Sequence, residues 1–267
     1  MTAEAVTAEP LEKRNPKGHF VSDSLVLTKR NLLKYIRVPT LLVFSTVQPI
    51  MFVLLFVYVF GGAISIPGES YTNFLMAGIF VQTSIFGSTQ TGVSLAEDMG
   101  KGLIDRFRSL PMSRAAVLVG RTVSDAARNL FVVLLMTLVG YIIGFRFQAG
   151  FFSAIAALLL AVSFGFAFSW ISAAIGLAIR DVESTQAASF VWVFPLTFAS
   201  SAFVPTEGFP SWLRTFADYN PITIAVDATR ALILGGEVYP RLLQAIAWVL
   251  ALLAVFVPLC VKLYRKV

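Results

Sequence analysis

The 267-residue chain is 57% hydrophobic and 13% charged, whereas soluble domains average about 45–50% apolar and 25% charged residues. An ordinary soluble domain is therefore excluded, and one His and one Cys argue against a metal cluster or a disulfide framework. In so apolar a chain, the net charge of +6 points to membrane topology before nucleic acid binding. The composition indicates a polytopic membrane protein.

The N-terminal region precedes any apolar run. Residues 1–19 are polar and lack hydrophobic periodicity, which predicts a disordered cytoplasmic tail. Residues 20–38 form a basic amphipathic helix in this interpretation, with apolar and basic side chains on largely opposite sides: Leu25, Leu32, Tyr35 and Ile36 against Lys29, Arg30, Lys34 and Arg37. Such a helix lies in the membrane interface, and the alternative is a charged lead-in to the first membrane span.

Six apolar runs have the length of about 20 residues that crosses a bilayer. Within a transmembrane domain over 39–267, we predict six transmembrane helices at about 40–60, 73–95, 126–145, 151–179, 185–204 and 242–261. Most of the 21 Lys and Arg residues then fall on the side that holds both termini. The positive-inside rule therefore predicts a multi-pass protein of the cell membrane with both termini in the cytoplasm.

The six runs carry almost no ionisable groups. Arg128, near the start of the third run, is the exception, and it is close enough to the end to extend toward the headgroups. Transport driven by a proton or cation gradient needs such groups inside the membrane, and the sequence also lacks a P-loop and an H-E-x-x-H motif. We therefore predict that the chain is not an enzyme and holds no cofactor, and that a partner supplies the energy if the chain moves a compound uphill.

The loop at 97–114 combines charges with an apolar stripe at helical spacing: Leu103, Ile104, Phe107 and Leu110. An exposed stripe of this kind predicts a docking surface, and interfacial packing is the alternative. Arg121, Asp125 and Arg128 follow at i, i+4 and i+7 and form a predicted cytoplasmic charge cluster. Either structural pairing at the cytoplasmic mouth or transmission of motion would explain this cluster.

Two motifs resemble one transporter family. Arg106-Phe107-Arg108-Ser109-Leu110-Pro111-Met112, preceded by Glu97 and Gly100 and followed by Gly120-Arg121, is similar to the cytoplasmic signature of ABC-2 type transport permeases, in particular their drug-efflux (daunorubicin-resistance) subgroup. The second motif lies between the fifth and sixth runs: Phe209-Pro210-Ser211-Trp212-Leu213, Asn220-Pro221, Asp227, Arg230 and Gly235-Gly236. The resemblance covers about residues 20–265.

The resemblance implies an all-α integral membrane protein with an amphipathic connecting helix before the first span. Between the second and third spans it implies a coupling helix, which sits in a groove of a separate ATPase subunit. The implied docking residues are Glu97, Gly100, Leu103, Arg106, Phe107 and Pro111. Because Gly100 and Gly102 each disfavour a helix by about 1 kcal/mol, the coupling helix is expected to begin only at Leu103.

The implied assembly contains two permease copies, expected to be a homodimer, and two copies of a P-loop ATPase that binds ATP and magnesium. The outer segment 205–240 is too short to span, because 222–234 is only about half a membrane crossing. It predicts short re-entrant helices in which Asp227 pairs with Arg230. By resemblance, the outer gate of the pathway consists of Trp212, Asp227 and Arg230.

Polar and aromatic side chains within spans one, two and five predict a substrate pathway. Its candidate residues are Gln48, Gln82, Phe86, Thr89, Gln90, Trp192, Phe194 and Phe198. Hydrogen bonds and packing between helices are the alternative explanation of these residues. An aromatic route without charges suits hydrophobic or amphipathic molecules.

The leading prediction is the permease subunit of an ATP-driven exporter for drug-like, natural-product or lipid-like molecules. A permease for cell-envelope polysaccharide or lipid-linked glycan is the alternative within the class. An ion channel is disfavoured because the sequence has no selectivity filter or charged ring. A non-transporting membrane scaffold or assembly factor would not need the docking stripe.

Overall fold

The computed structural model describes residues 20–64, 66, 68–104, 106 and 113–266. The predicted tail 1–19 and the predicted docking residues Phe107 and Pro111 lie outside them. Across the described residues the chain forms nine α-helices and no β-strand. They are α1 Phe20–Arg37, α2 Pro39–Leu55, α3 Tyr71–Gly100, α4 Arg114–Ile142, α5 Phe151–Ile179, α6 Val182–Phe198, α7 Ser211–Tyr219, α8 Pro221–Leu234 and α9 Tyr239–Lys266.

The six apolar runs of the sequence lie on α2, α3, α4, α5, α6 and α9, and a π-helical turn at Phe56–Phe60 extends α2. Three helical stretches are long and apolar enough to cross a membrane: Ala115–Ile142, Phe151–Ile179 and Tyr239–Arg265. The all-α prediction is thus confirmed for the described residues. The arrangement of six spans stays a prediction.

Helix α6 ends at Phe198, before the predicted limit of its run at 204. The amide Nδ2 of Asn220 donates hydrogen bonds to the carbonyl oxygens of Leu196 (2.7 Å) and Ala199 (3.0 Å). These carbonyls would otherwise bond to the next helical turn. A side chain from the following segment therefore terminates α6.

Helix α3 lies at the centre of the molecule and is buried along most of its length. It packs closely against α5 through small residues. A Cβ atom at Gly92 would lie 2.2 Å from the carbonyl oxygen of Ser172, and one at Gly165 would lie 2.7 Å from that of Ser84. Small residues allow two backbones to approach this closely. The position of α3 therefore depends on glycines at the crossing.

Helix α1 packs on the start of α4 rather than lying apart from the bundle. Gly120 lies beneath Leu27, and its carbonyl oxygen accepts hydrogen bonds from Thr28 (3.3 Å) and Asn31 (3.4 Å). The helix spans Phe20–Arg37, and its predicted apolar side is divided. Tyr35 belongs to the face buried on α4, while Leu25 and Ile36 are exposed.

Apolar side chains are exposed along α2 and α9. On α9 they include Leu243, Leu250 and Val255, and on α2 they include Val47 and Met51. A continuous apolar surface of this kind indicates contact with lipid or with another protein. Lipid contact agrees with the apolar composition of α9, whose most apolar window is almost wholly exposed.

Candidate functional site: a cavity and the charge cluster at one end

A cavity of about 470 Å³ lies among α1, α2, α3, α4 and α6. It brings together five of the predicted pathway residues from two helices: Gln48, Gln82, Phe86, Thr89 and Gln90. Helix α6 contributes Gln186 and Phe190. At the α1 end, the lining is charged and consists of Lys34, Glu97, Arg121 and Arg128. The cavity is thus amide- and aromatic-lined in its middle and charged at one end.

Gln82 is the least exposed polar residue of the cavity lining. Its side chain is 1% exposed, and neither its Oε1 atom nor the hydroxyl oxygen of Thr83 has a hydrogen-bond partner among the described residues. By contrast, the Thr89 hydroxyl donates to the carbonyl oxygen of Phe86 at 2.7 Å. A buried polar group without a partner costs about 1–3 kcal/mol. A bound molecule with a hydrogen-bond donor would remove that cost at Gln82.

A series of phenylalanine rings leads away from the cavity, and we call it the aromatic series. Phe86 lies 5.3 Å from Phe194 between ring centroids, and Phe194 stacks on Phe198 at 5.6 Å. Phe198 contacts Phe203 at 5.2 Å, and Phe203 stacks on Phe56 at 4.5 Å. The series therefore connects the cavity with the π-helical turn at the end of α2.

Two aromatic residues of α6 differ from the sequence prediction. Trp192 is not part of the cavity lining, and its ring stacks on Phe168 of α5 at 5.5 Å. Phe190 lines the cavity although the sequence interpretation did not select it. Its position four residues before Phe194 places both residues on one helix face. This spacing could have identified Phe190 from the sequence.

Asp125 is fully buried on α4 and joins three helices. Its carboxylate accepts hydrogen bonds from the hydroxyls of Tyr35 on α1 and Thr91 on α3, both at 2.6 Å. It also accepts one from Nε of Arg121 at 3.1 Å, and the two residues form a buried ion pair. We call these four residues and Arg128 the Asp125 cluster.

The sequence suggested that Arg128 extends toward the membrane surface. In the structure its side chain is instead buried and only 5% exposed. Its Nη1 atom donates to the Tyr35 hydroxyl oxygen at 3.4 Å, and Nη2 donates to Asn129 Oδ1 at 3.1 Å and to the Gly87 carbonyl oxygen. The reason is tertiary, because Tyr35 of α1 offers a nearby partner. The Nε atom of Arg128 is buried without a partner in the described part of the chain.

The predicted docking segment is described in part. Glu97 pairs with Lys34 at 3.4 Å and with Lys101, and the hydrogen bond from Lys101 is the main cause that lowers the pKa of Glu97. Gly100 ends α3, and Gly102 has a left-handed backbone with φ of +67°. Helical backbone resumes at Leu103, as expected.

Part of the predicted apolar stripe packs inside the molecule. Ile104 is buried in a cluster that contains Leu27 of α1 and Leu95 of α3, whereas Arg106 is exposed. The sequence interpretation treated Ile104 as displayed at the surface, and this is corrected. Ile104 therefore packs against α1 and α3.

At the opposite end of α3, Asp227 and Arg230 on α8 form the predicted pair, with 2.9 Å between Arg230 Nη1 and Asp227 Oδ1. Arg230 Nη2 donates to the carbonyl oxygen of Ser201 at 2.7 Å, and its guanidinium lies 3.6 Å from the ring centroid of Phe74. Arg230 therefore joins α8 to α3 and to the segment after α6. Trp212 on α7 is 71% exposed and does not share these contacts.

The family follows from a comparison with known sequences. The ABC-2 type transporter family matches residues 23–234, a stretch that includes the cavity, the Asp125 cluster and nearly all of α1 to α8. The chain belongs to the ABC-2 transporter family. The sequence-based recognition of this family is confirmed.

Similar proteins include named permeases of drug resistance. The daunorubicin resistance ABC transporter permease protein DrrB1 of Streptomyces coeruleorubidus is 34% identical over 254 residues, which cover 95% of this chain and 90% of that protein. The probable doxorubicin resistance ABC transporter permease protein DrrC of Mycobacterium tuberculosis is 27% identical over 255 residues, with coverage of 95% and 92%. The putative transport permease ycf38 of Cyanophora paradoxa is 29% identical over 223 residues, with coverage of 80% and 74%.

These relationships make the chain an ABC-2 permease of the drug-resistance type and a membrane protein. It is a transporter subunit rather than an enzyme, since its relatives are named as permeases. Within the part of the chain that the structure describes, no group of three or more His, Cys, Asp or Glu side chains could hold a metal ion.

Proposed function

We propose that this permease exports amphipathic drug-like, natural-product or lipid-like molecules from the cytoplasm or the inner leaflet. The observation that carries the proposal is the cavity of about 470 Å³, which falls in the range of about 300–1,000 Å³ that small-molecule sites occupy. Its lining combines Phe86 and Phe190 with the amides of Gln48 and Gln82. Aromatic faces suit an apolar body, and amides suit a few hydrogen-bonding groups.

The proposed route continues along the aromatic series. Phe194 and Phe198 of α6 lead from Phe86 toward Phe203 and Phe56. A series of stacked rings offers successive apolar contacts of similar strength, so a substrate can leave each position as easily as it enters. The outer gate of this route consists of Trp212, Asp227 and Arg230.

The proposed energy source is a separate P-loop ATPase that binds ATP and magnesium. It docks on the segment that contains Glu97, Gly100, Leu103, Arg106, Phe107 and Pro111. The ion pair of Glu97 with Lys34 supports the transmission of motion from this segment to α1. From α1, the bond between Tyr35 and Asp125 leads to α4 beside the cavity.

The proposed assembly is a homodimer of this chain with two copies of the ATPase, in the cell membrane, with both termini in the cytoplasm. The exposed apolar faces of α2 and α6 beside the cavity support the dimer. They carry Val47 and Met51 on α2 and Val191 on α6. A second copy on these faces would cover them.

The proposal is tested by reconstitution in lipid vesicles with a P-loop ATPase subunit that copurifies with this chain. We expect ATP-dependent accumulation of daunorubicin, which the name of one relative suggests as a first compound. Gln82→Ala and Phe86→Ala should lower the transport rate several-fold at equal protein levels. The matched controls are Gln244→Ala and Phe152→Ala, because both residues are exposed and neither lines the cavity.

Two results would contradict the proposal. One is unchanged transport by both cavity variants at normal protein levels. The other is uphill export by the purified chain alone, without any nucleotide-hydrolysing partner.

A further inference from the structure

We infer that the α1 end of the cavity is an anion-binding subsite, which holds a carboxylate, phosphate or sulfate group of an amphipathic substrate against Arg128. The apolar body of that substrate lies against the rings of Phe86 and Phe190, which line the cavity. This inference rests on the proposed export function and adds to its substrates a class of amphipathic molecules with a negatively charged head.

Arg128 has the features of a side chain held ready for an anion. It lines the cavity, is 95% buried, and its Nε–H has no partner among the described residues. Its other nitrogen atoms are fixed by Tyr35, Asn129 and Gly87. The guanidinium is therefore oriented before a ligand arrives. A preorganised guanidinium binds carboxylate and phosphate oxygens strongly because its donors match their geometry.

The charges around Arg128 leave an excess of positive charge. The cavity lining contains three cations, Lys34, Arg121 and Arg128, and one carboxylate, Glu97, which Lys34 and Lys101 already pair. Asp125 lies behind the lining and is bonded to Arg121 and to two hydroxyls. Arg128 has no carboxylate in hydrogen-bond contact among the described residues, and it shares the nearby charge of Asp125 with Arg121. One carboxylate offsets two buried guanidinium charges only in part, and an anionic ligand would compensate the remainder.

The remaining lining fits the rest of such a molecule. Phe86 and Phe190 lie 6.1 Å apart between ring centroids and stand beside the charged end of the cavity. The unpartnered Oε1 atom of Gln82 offers one acceptor for a hydroxyl or amine of the ligand. The cavity thereby contains three separate parts: a guanidinium that donates hydrogen bonds to an anion, an aromatic surface and one hydrogen-bond acceptor.

The inference is tested with two fluorescent probes that differ by one charged group. They are 1-anilinonaphthalene-8-sulfonate and the neutral N-phenyl-1-naphthylamine, titrated into the full chain in phosphatidylcholine nanodiscs, with empty nanodiscs subtracted. We expect Arg128→Gln to lower the affinity for the sulfonate about tenfold and to leave that for the neutral probe unchanged. Arg128→Lys should retain part of the preference. Arg214→Gln removes the same charge at an exposed position outside the cavity and should change neither affinity.

A second measurement uses the wild-type chain, so it does not depend on the folding of a variant. Dihexanoyl phosphatidic acid should displace the sulfonate probe at a concentration about tenfold lower than dihexanoyl phosphatidylcholine does. Displacement by sodium sulfate alone, at constant ionic strength, would show that a free anion suffices. Displacement by the phosphatidic acid alone would show that the anion must be part of an amphiphile.

Equal displacement by the two lipids overturns the inference, and so does an equal response of Arg128→Gln and Arg214→Gln. Either result leaves the proposed function intact if the neutral probe still binds in the cavity and is displaced by exported compounds. If neither probe binds the wild-type chain, the result counts against the proposed function itself.

Discussion

The hydroxyl of Tyr35 in α1 donates a 2.6 Å hydrogen bond to the carboxylate of Asp125 in α4. The same hydroxyl oxygen accepts hydrogen bonds from Arg121 and Arg128, each at 3.4 Å. Burial and the nearby charge of Asp125 raise the pKa of Tyr35 to about 12, so the hydroxyl keeps its proton at physiological pH. One neutral hydroxyl therefore connects α1 to three charged groups beside the cavity.

The first prediction concerns this hydroxyl. Tyr35→Phe removes one donor to a buried carboxylate, and a hydrogen bond to a charged group contributes about 1.5–3 kcal/mol. We expect a lower thermal midpoint of the purified chain, measured by intrinsic tryptophan fluorescence. Tyr239→Phe on α9 is the matched control because Tyr239 is exposed. Equal midpoints for the two variants would show that the contact between α1 and Asp125 contributes nothing to stability.

Much of the fold follows from the length of the apolar runs, because a run of about 20 apolar residues in a membrane protein has few alternatives to a helix. The end of α6 did not follow, since it depends on Asn220 from a later segment. The position of Arg128 did not follow either, because the sequence does not show that Tyr35 lies beside it. Phe194 and Phe198 share a face by their spacing, whereas Phe56 and Phe203 join them only in the folded chain.

The second prediction treats Arg121 and Asp125 as a pair. Asp125→Asn leaves Arg121 as an uncompensated buried charge, and breaking a buried pair in this way costs about 3–5 kcal/mol. The double variant Arg121→Gln/Asp125→Asn removes both charges and should recover part of the lost thermal stability. Midpoints of the wild type, both single variants and the double variant give the coupling energy. Additive losses in this cycle would mean that the two charges do not stabilise each other.

The third prediction concerns the crossing of α3 and α5. A methyl group at Gly92 would lie 2.2 Å from the carbonyl oxygen of Ser172, so Gly92→Ala forces the helices apart. Overpacking of this kind costs about 1–3 kcal/mol. We expect a lower thermal midpoint and faster cleavage by a protease. In the control Gly62→Ala, the added methyl group meets no atom within 4 Å, and a loss of stability equal to that of Gly92→Ala would refute the close contact.

The last prediction tests the docking segment. Arg106 is exposed, while Ile104 two residues earlier is buried in the cluster that contains Leu27 and Leu95. Because the buried residue holds the segment in place, Arg106→Glu should change the docking surface without unfolding the chain. We expect less ATPase to copurify and the substrate-stimulated ATP hydrolysis of the complex to fall about tenfold, which corresponds to a loss of about 1.4 kcal/mol of interaction at the interface.

Arg265→Glu is the matched control for this prediction, because it makes the same change of charge at an exposed position on α9. Its complex should copurify and hydrolyse ATP as the wild type does. Coupled ATP hydrolysis and export that persist in Arg106→Glu combined with Phe107→Ala would show that the ATPase docks elsewhere. A loss of binding in Arg106→Glu with an unchanged thermal midpoint, in contrast, assigns the defect to the contact with the ATPase, because the fold of the permease is then preserved.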